Sequence, residues 1–349
     1  MSPIRFAGLA LVGVLAAGCA TSTSTPAPMQ RSEASSRPVD AKALFDGVWY
    51  WRAAPLGDEP QAVHVMEVDL RRPGVSLMIT PGAPEGGREY VAMTPSVFVA
   101  RFGLQAAING GYFLPFKGGT QGQDDYIPQA GDPAFVSGMA MHAGKVVSPV
   151  ETDPADKDNY DIRITTAFCV LKDRIRIENG QVCPAGVREA LSAGPRLLAA
   201  GEEVEIVPSF SPAPTPPPPP PAPSPPPPVD PNASASTAPT APAAPARPRG
   251  APRTAVGIDA TGTRLWMVVV DGRQPGYSTG ASNAQLKALF KSLGAYDAMS
   301  FDGGGSSTMV AAGLAGAPRL LSRPIHTGVR GRERPSANHL GVRANPVPR

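Results

Sequence analysis

The residues best suited to chemistry lie in one short stretch, Phe301–Met309, in which a carboxylate precedes three glycines and three hydroxyl side chains. These groups belong, in order, to Asp302, to Gly303–Gly305, and to Ser306, Ser307 and Thr308. Glycines at a turn let backbone N–H groups approach a ligand and point the same way, which favours an anionic or oxygen-rich group. A structural turn needs one or two glycines, and neither the acid nor the hydroxyls. The stretch therefore predicts a ligand site, with a tight turn as the alternative.

The elements that must position this stretch are mostly strands. An apolar run at residues 298–301 predicts a buried strand that ends directly before Asp302. Alternating or apolar segments predict further strands, and Gly144 and Asn179-Gly180 predict hairpin turns. These strands cover residues 62–70, 75–79, 104–108, 139–147, 175–182, 254–259 and 265–271.

Helices are predicted at only two places. Ser282–Gln285 is a capping box that opens a helix, and Gly294 ends it. A second helix is predicted near residues 95–102. The chain is therefore predicted to be α+β, a single strand-rich mixed domain with few helices.

The N-terminus predicts export. Arg5 precedes an apolar run at residues 6–15, which is too short to span a bilayer and is typical of a secretory signal over residues 1–19. Cys19 follows small residues, as in a bacterial lipobox, although Ala16 stands where a large aliphatic residue is usual. This pattern predicts lipidation of Cys19 and anchoring at the outer membrane or the periplasmic face. The alternative is ordinary cleavage, which gives a periplasmic or secreted protein. Residues 20–40 are predicted to form a flexible tether.

A break in composition divides the rest of the chain. Residues 211–250 contain 18 of the 43 prolines and one acid, Asp230. Such a segment cannot bury enough apolar surface to offset the entropy lost on ordering, so it is predicted to be extended and disordered. Composition alone leaves open whether it links two domains or is inserted in one.

Charge and cysteine content restrict the remaining choices. A net charge of +3 is too small to argue for a nucleic-acid partner. Cys169 and Cys183 are predicted to form a disulfide in an exported protein, with two buried thiols as the alternative. No cysteine or histidine spacing predicts zinc.

Six segments, taken together and in order, resemble the phosphodiester glycosidase family. They are residues 109–113, 192–198, 253–258, 270–273, 301–309 and 334–338. The resemblance covers about residues 45 to 345 outside the proline-rich segment. It implies one catalytic domain at residues 41–349, in which residues 208–251 are an insertion.

The resemblance implies hydrolysis of a sugar-1-phosphodiester, with C–O cleavage and a phosphomonoester leaving group. A phosphate ester leaves as a stabilised anion, so its site needs cations or N–H donors more than a strong general acid. The expected partner is a phosphorylated glycan of the envelope or the extracellular space. Three alternatives remain: P–O cleavage, a non-catalytic lipoprotein that binds such glycans in the same cleft, and a structural envelope lipoprotein.

The catalytic carboxylate is predicted to be Asp302, as nucleophile or as the base that activates water. Asp271 and Glu333 are candidates for a second carboxylate, with a turn and an ion pair as their structural alternatives. Arg253 and Arg334 are predicted phosphate clamps, with Arg196 as a third.

The remaining predicted contacts come from amides, glycines and hydroxyls. Asn109 and Asn338 would bind sugar or phosphate or hold their own turns, and three glycines would supply backbone donors. The full substrate-binding set is Asn109, Gly110, Arg196, Arg253, Thr254, Gly303, Gly304, Ser306, Ser307, Arg334 and Asn338. No cofactor and no metal are expected, and the oligomeric state is left open.

Overall fold

The computed structural model describes residues 37–83, 88–150, 164–206 and 250–348. The predicted signal at 1–19, the lipidation site Cys19, residues 20–36 of the tether and residues 208–249 of the insertion lie outside the described residues. Arg37, which belongs to the predicted tether, contacts the domain. Its guanidinium donates to Glu67 at 2.6 Å and covers the Trp49 ring at 3.6 Å.

Strands make up most of the described chain, and only two α helices occur in it. The helices are α1 (Pro95–Phe102) and α2 (Asn283–Leu293). In chain order the strands are β1 (Lys42–Phe45), β2 (Val48–Ala53), β3 (Val63–Asp69), β4 (Ser76–Ile79), β5 (Tyr90–Val91), β6 (Ala106–Asn109), β7 (Phe113–Leu114), β8 (Pro133–Val136), β9 (Ala140–His142), β10 (Lys145–Ser148), β11 (Thr166–Val170), β12 (Ile175–Asn179), β13 (Glu189–Ala193), β14 (Arg196–Ala199), β15 (Glu202–Glu203), β16 (Arg253–Ile258), β17 (Arg264–Val270), β18 (Asp297–Ser300), β19 (Met309–Ala312), β20 (Pro318–Leu320) and β21 (His339–Arg343).

The described strands form four antiparallel sheets. The largest has eight strands in the order β1-β2-β3-β17-β16-β18-β14-β15. Two five-stranded sheets have the orders β10-β9-β13-β11-β12 and β20-β19-β6-β21-β4, and β5-β8-β7 form a small fourth sheet. This arrangement confirms the prediction of a strand-rich α+β fold with few helices. None of the helices in the described part of the chain is long and apolar enough to cross a membrane.

The main core lies where the three larger sheets meet. Met267 and Phe301 from the first sheet, Phe168 from the second and Leu340 from the third belong to one buried cluster. The two helices cover outer faces: Phe290 of α2 packs on the eight-stranded sheet, while Phe98 of α1 packs on the third sheet. Burial of this apolar surface is the main force that holds the sheets together.

Both predicted helices are confirmed, and their ends follow from local chemistry. Ser282 caps α2 by accepting from the Gln285 N–H at 3.2 Å, and the Gln285 side chain accepts from the Ser282 N–H at 2.9 Å. Gly294 ends the helix in the left-handed region at φ 80°, where glycine has no steric penalty.

The predicted hairpin at residues 175–182 is wrong. β12 ends at Asn179 and pairs with β11, not with residues that follow the turn. After the turn, the Gly180 N–H donates to the Thr165 carbonyl at 2.7 Å. The asparagine–glycine pair therefore ends a strand, and the chain continues into a loop that contains Cys183.

A disulfide joins that loop to the second sheet. Cys169 of β11 is bonded to Cys183, with a Cα–Cα distance of 5.7 Å and a sequence separation of 14. The cross-link restricts the unfolded chain, and the loss of entropy depends on the length of the loop that it closes.

We expect replacement of both cysteines, Cys169→Ala with Cys183→Ala, to lower the free energy of unfolding by about 3 kcal/mol because the unfolded chain gains entropy. Urea-induced unfolding would measure this change. A reductant should destabilise the wild-type protein by a similar amount and leave the double variant unaffected. Equal stability of the wild type and the double variant would contradict the prediction.

Candidate active site

The candidate site lies where strands of two sheets end beside each other. In the eight-stranded sheet β16 begins at Arg253 and β18 ends at Ser300, and Ala255 pairs with Ser300. In the third sheet β6 ends at Asn109, opposite His339. Because antiparallel pairing sets the end of one strand beside the start of the next, residues far apart in the sequence meet at this edge.

The side chain of Asn109 ties the two sheets together. Its Nδ2 donates to the Asp302 carbonyl at 2.7 Å and lies 3.5 Å from the Gly110 carbonyl. Its Oδ1 accepts from the Thr254 hydroxyl at 2.7 Å and from the Thr308 N–H at 3.2 Å. Asn109 is 1% exposed. It therefore holds both ends of the glycine turn, a role that differs from the expected ones of binding a ligand or holding its own turn.

Backbone hydrogen bonds fix the glycine turn. The Asp302 N–H donates to the Gly110 carbonyl at 3.0 Å, and the Gly304 N–H donates to the Pro252 carbonyl at 2.9 Å. The Gly110 N–H donates to the Asn338 carbonyl at 3.0 Å. The N–H groups of Gly110 and Gly304 thus position the turn instead of facing a ligand, which corrects the expected role. Gly304 has φ 61°, a conformation that is costly for residues with a side chain.

A cavity of about 710 Å³ opens over this turn. It is lined by Tyr112, Phe116, Gly118, Gly119, Gln121, Pro195, Ala251, Arg253, Arg273, Ser300, Phe301, Asp302, Gly303, Gly304, Gly305, Ile325, Thr327, Gly328 and Arg334. Among these described lining residues three are arginines and one, Asp302, is a carboxylate. Such a lining favours an anionic ligand.

Arg334 is held by neutral partners. Its Nε donates to His326 Nδ1 at 2.9 Å, and one Nη donates to the Ser306 hydroxyl at 3.1 Å. Its guanidinium lies 4.6 Å from the centre of the Phe116 ring. A Cβ at Gly305 would overlap this guanidinium, so the third glycine makes room for the arginine. Burial lowers the pKa of Arg334, and the Asp302 charge partly offsets that effect.

Arg253 and Arg273 also lie beside the turn. Arg253 Nε donates to the Ala281 carbonyl at 3.0 Å, and burial lowers the pKa of Arg253. The Arg273 guanidinium lies against Gly304, where an added Cβ would be 3.3 Å from one of its Nη atoms. Arg273 has φ 57°, which is unusual for a residue other than glycine.

His326 has a defined protonation state. A guanidinium N–H can only donate, so His326 Nδ1 must accept from Arg334, and the ring is neutral with its hydrogen on Nε2. Burial, followed by the nearby Arg334 charge, lowers the pKa of His326 to about 4. The ring also meets Tyr126 edge-on, with centroids 3.9 Å apart. His326 is therefore a support for Arg334.

The sequence profile of the phosphodiester glycosidase family matches residues 102–343, which is more than half of the chain. The chain belongs to the phosphodiester glycosidase family. The resemblance inferred from the six segments is thus confirmed, and so is the prediction of a hydrolase at the level of the family. No curated protein matches the chain significantly in sequence.

Three solved structures align with the chain. A hypothetical protein from Synechocystis aligns with a TM-score of 0.50 and 17% identity, over 89% of this chain and 64% of that one. The catalytic domain of zebrafish N-acetylglucosamine-1-phosphodiester alpha-N-acetylglucosaminidase aligns at 0.49 and 18%, over 90% and 87% of the two chains. A putative exported protein from Burkholderia pseudomallei aligns at 0.46 and 16%, over 81% and 74%. This chain therefore spans about two thirds of the Synechocystis protein.

Asp271, a candidate second carboxylate of this family member, does not line the cavity. It is 1% exposed, and its carboxylate accepts from Tyr277 at 3.0 Å and from the Arg323 N–H at 2.9 Å. His64 Nε2 lies 3.0 Å from the same carboxylate. Asp271 therefore anchors the turn that presents Arg273, which corrects the catalytic expectation.

Glu333 and Arg196 also lie outside the cavity lining. Glu333 accepts from the Ser96 N–H at 2.9 Å at the start of α1, and burial raises the pKa of Glu333. Arg196 donates to Asp297 and to Asn179, both at 2.6 Å. Glu333 therefore caps a helix and Arg196 forms an ion pair, so the structure corrects the expectation of a catalytic carboxylate and of a third phosphate clamp.

The other predicted contacts surround the cavity without all facing it. Gly303 lines it, whereas Thr254, Ser306 and Ser307 are buried beneath the turn at 1% exposure. Asn338 is also 1% exposed, and its Oδ1 accepts from the Gly111 N–H at 2.9 Å. The hydrogen bonds of Thr254, Ser306 and Asn338 hold the loops of the site in place.

Several residues of the site were not predicted as site residues, among them Tyr112, Phe116, Arg273 and His326. Tyr112 and Arg273 lie within the family segments at 109–113 and 270–273, so a reading of every residue in those segments would have included them. Phe116 and His326 lie in loops that carry no local signal. Only the packing of Arg334 between them reveals their place.

We expect Asn109→Ala to lower the free energy of unfolding by roughly 2–4 kcal/mol, because it leaves buried partners on two sheets without hydrogen bonds. Urea-induced unfolding would measure the loss. Asn345→Ala is the matched control, since Asn345 is exposed and makes one bond, to the Pro73 carbonyl. A similar, small loss in both variants would contradict the role of Asn109.

We expect His326 to make stability depend on pH. The folded pKa is about 4 and the unfolded pKa is near its ordinary 6.5, so this contribution is complete above pH 6.5 and is lost as pH falls towards 4. Between pH 8 and pH 5 the loss is about 2 kcal/mol. His326→Gln keeps an acceptor but does not titrate. Its free energy of unfolding, relative to that of wild type, should therefore be about 2 kcal/mol higher at pH 5 than at pH 8. Unfolding measured at both pH values tests this, and titration of His326 near pH 6.5 in NMR spectra would refute it.

Proposed function

We propose that this protein is an exported phosphodiester glycosidase that hydrolyses a sugar-1-phosphodiester by C–O cleavage. The observation that carries the proposal is the composition of the cavity, where Asp302 and three arginines surround one space in the described residues. Family membership supports the reaction type. The substrate is a phosphodiester-linked glycan of the cell envelope or the extracellular space.

The arginines suit the leaving group. Cleavage of the bond between the anomeric carbon and oxygen leaves a phosphomonoester, whose negative charge is already stabilised. Arg253 and Arg334 bind the phosphate and neutralise the charge that develops on it in the transition state. A protonating carboxylic acid, which an alcohol leaving group requires, is then unnecessary.

Asp302 acts at the anomeric carbon. As a nucleophile it forms a glycosyl ester that water then hydrolyses; as a base it removes a proton from the attacking water. In either case the oxygen of water ends on the sugar, and the bridging oxygen leaves with the phosphate. Asp302 lines the cavity, whereas Asp271 and Glu333 do not, which favours Asp302 for this role.

Aromatic rings offer a place for the sugar. Tyr112 and Phe116 line the same cavity as Asp302, and Phe116 is 41% exposed. The apolar face of a pyranose packs well on such rings, while hydroxyls reach polar groups such as Gln121 and Thr327 at the rim.

The location follows from the N-terminal sequence. A secretory signal that ends at Cys19 favours a lipid-anchored protein at the outer membrane or the periplasmic face, with a periplasmic or secreted form as the alternative. Such a location would bring the cavity to cell-surface glycans.

The first test is sugar release from a GlcNAc-1-phosphodiester by the full chain and by Asp302→Asn. We expect the variant to lose about a hundredfold or more in rate, because the group that attacks the anomeric carbon or activates water is gone. Asp173→Asn is the matched control, since that carboxylate is 65% exposed. In water labelled with oxygen-18, the label should appear in the sugar.

Three results would contradict the proposal. Label in the phosphate would mean P–O cleavage. Equal release by wild type and Asp302→Asn, with loss in Glu333→Gln or Asp271→Asn, would move the catalytic role to another carboxylate. Binding of phosphorylated glycans without any release would identify a non-catalytic binding protein.

A further inference from the structure

The charges of the cavity exceed those of the proposed substrate. The described lining has three guanidinium groups and one carboxylate. A phosphodiester brings one negative charge, and Asp302 supplies another. One positive charge therefore remains without a counterpart in the complex.

We assign the additional positive charge to Arg273. Its guanidinium lies against Gly304, two residues after Asp302, so it faces the same turn as the proposed nucleophile or base. Arg253 and Arg334 already suffice to bind the two free oxygens of a diester. Arg273 lies beyond that requirement.

The turn that carries Arg273 is held firmly. Asp271 accepts from Tyr277 and from the Arg323 N–H, and the Gln274 side chain donates to the Arg323 carbonyl at 2.8 Å. Arg273 itself is kept at φ 57°. A non-glycine residue in this region costs about 1 kcal/mol or more, so the surrounding bonds must enforce it.

Arg273 repels the two other cations. Burial is the main cause of the lowered pKa of Arg253 and of Arg334, and the charge of Arg273 lowers both further, so Arg273 interacts with each of them across the cavity. Like charges in one partly buried space destabilise the empty site, and an anion with more than one negative charge relieves the repulsion best.

We propose that Arg273 is a specificity-determining residue that provides for a second negative charge, so that the cavity binds a dianionic phosphomonoester more tightly than a monoanionic phosphodiester. This inference rests on the proposed function. Its consequence is that the phosphomonoester product competes with the substrate and inhibits the enzyme.

The test compares two probes of nearly equal size, methyl phosphate and dimethyl phosphate, by isothermal titration calorimetry with the full chain at pH 8. At this pH methyl phosphate is a dianion, since its second pKa is about 6, and dimethyl phosphate is a monoanion. We expect wild type to bind methyl phosphate about tenfold more tightly or better, because a charge-assisted bond is added.

Variants assign that preference to Arg273. Arg273→Gln should reduce it to about threefold or less, and Arg273→Lys, which keeps the charge, should retain most of it. Arg174→Gln is the matched control, because Arg174 is 54% exposed and pairs with Asp173 outside the cavity. Circular dichroism and thermal unfolding would verify that each variant is folded.

Equal affinity of wild type for the two probes, no binding of either, or a preference that survives in Arg273→Gln would each overturn the inference. Since the assay needs no turnover, its result is separate from that of the proposed function. A preference for methyl phosphate without sugar release would support the role of Arg273 and contradict the proposed glycosidase activity. Sugar release without that preference would support the activity and contradict the role of Arg273.

Discussion

The side-chain amide of Asn109 is the contact on which the site depends. The glycine turn joins two sheets, and Asn109 adds side-chain bonds to the backbone bonds that the turn makes to Gly110 and Pro252. An amide carries donors at one end and an acceptor at the other, so one side chain can bind the Asp302 carbonyl and also the Thr308 N–H. A carboxylate would repel that carbonyl, and an apolar side chain would leave both groups without partners.

Neutral hydrogen-bond partners also orient two arginines of the cavity. Arg253 and Arg334 are fixed by a carbonyl, a hydroxyl and a neutral imidazole, all of which leave the guanidinium charge intact. An ion pair, such as the one that Asp297 forms with Arg196, would also orient an arginine but would cancel its charge. Because neutral partners leave a net charge buried, they lower the stability of the empty site. A bound anion restores that stability.

The sequence was informative where a signal is local and misleading where orientation matters. The glycine turn, the capping box and the paired strands were recognisable because each depends on neighbours in the chain. Asp271 and Arg273 are two residues apart, and only the left-handed backbone at Arg273 decides which one reaches the cavity. Pro195 and Arg196 are adjacent, yet the first lines the cavity and the second pairs with Asp297. The turn at Asn179-Gly180 ended a strand because β12 pairs with β11, the strand before it, and not with residues after Gly180.

The positions that the fold gives to the three candidate carboxylates determine which of them can take part in chemistry. Of the three acids that the sequence offered, the fold uses Asp271 to anchor a turn and Glu333 to cap a helix, and only Asp302 lines the cavity. A hydrolase that expels an alcohol needs a second acid in the site, because the alkoxide must be protonated as it leaves. A leaving group that is already a stable anion removes that need and replaces it with a need for cations. On the proposed function, the shortage of acids and the excess of arginines in this cavity are two consequences of one requirement, which is set by the phosphate.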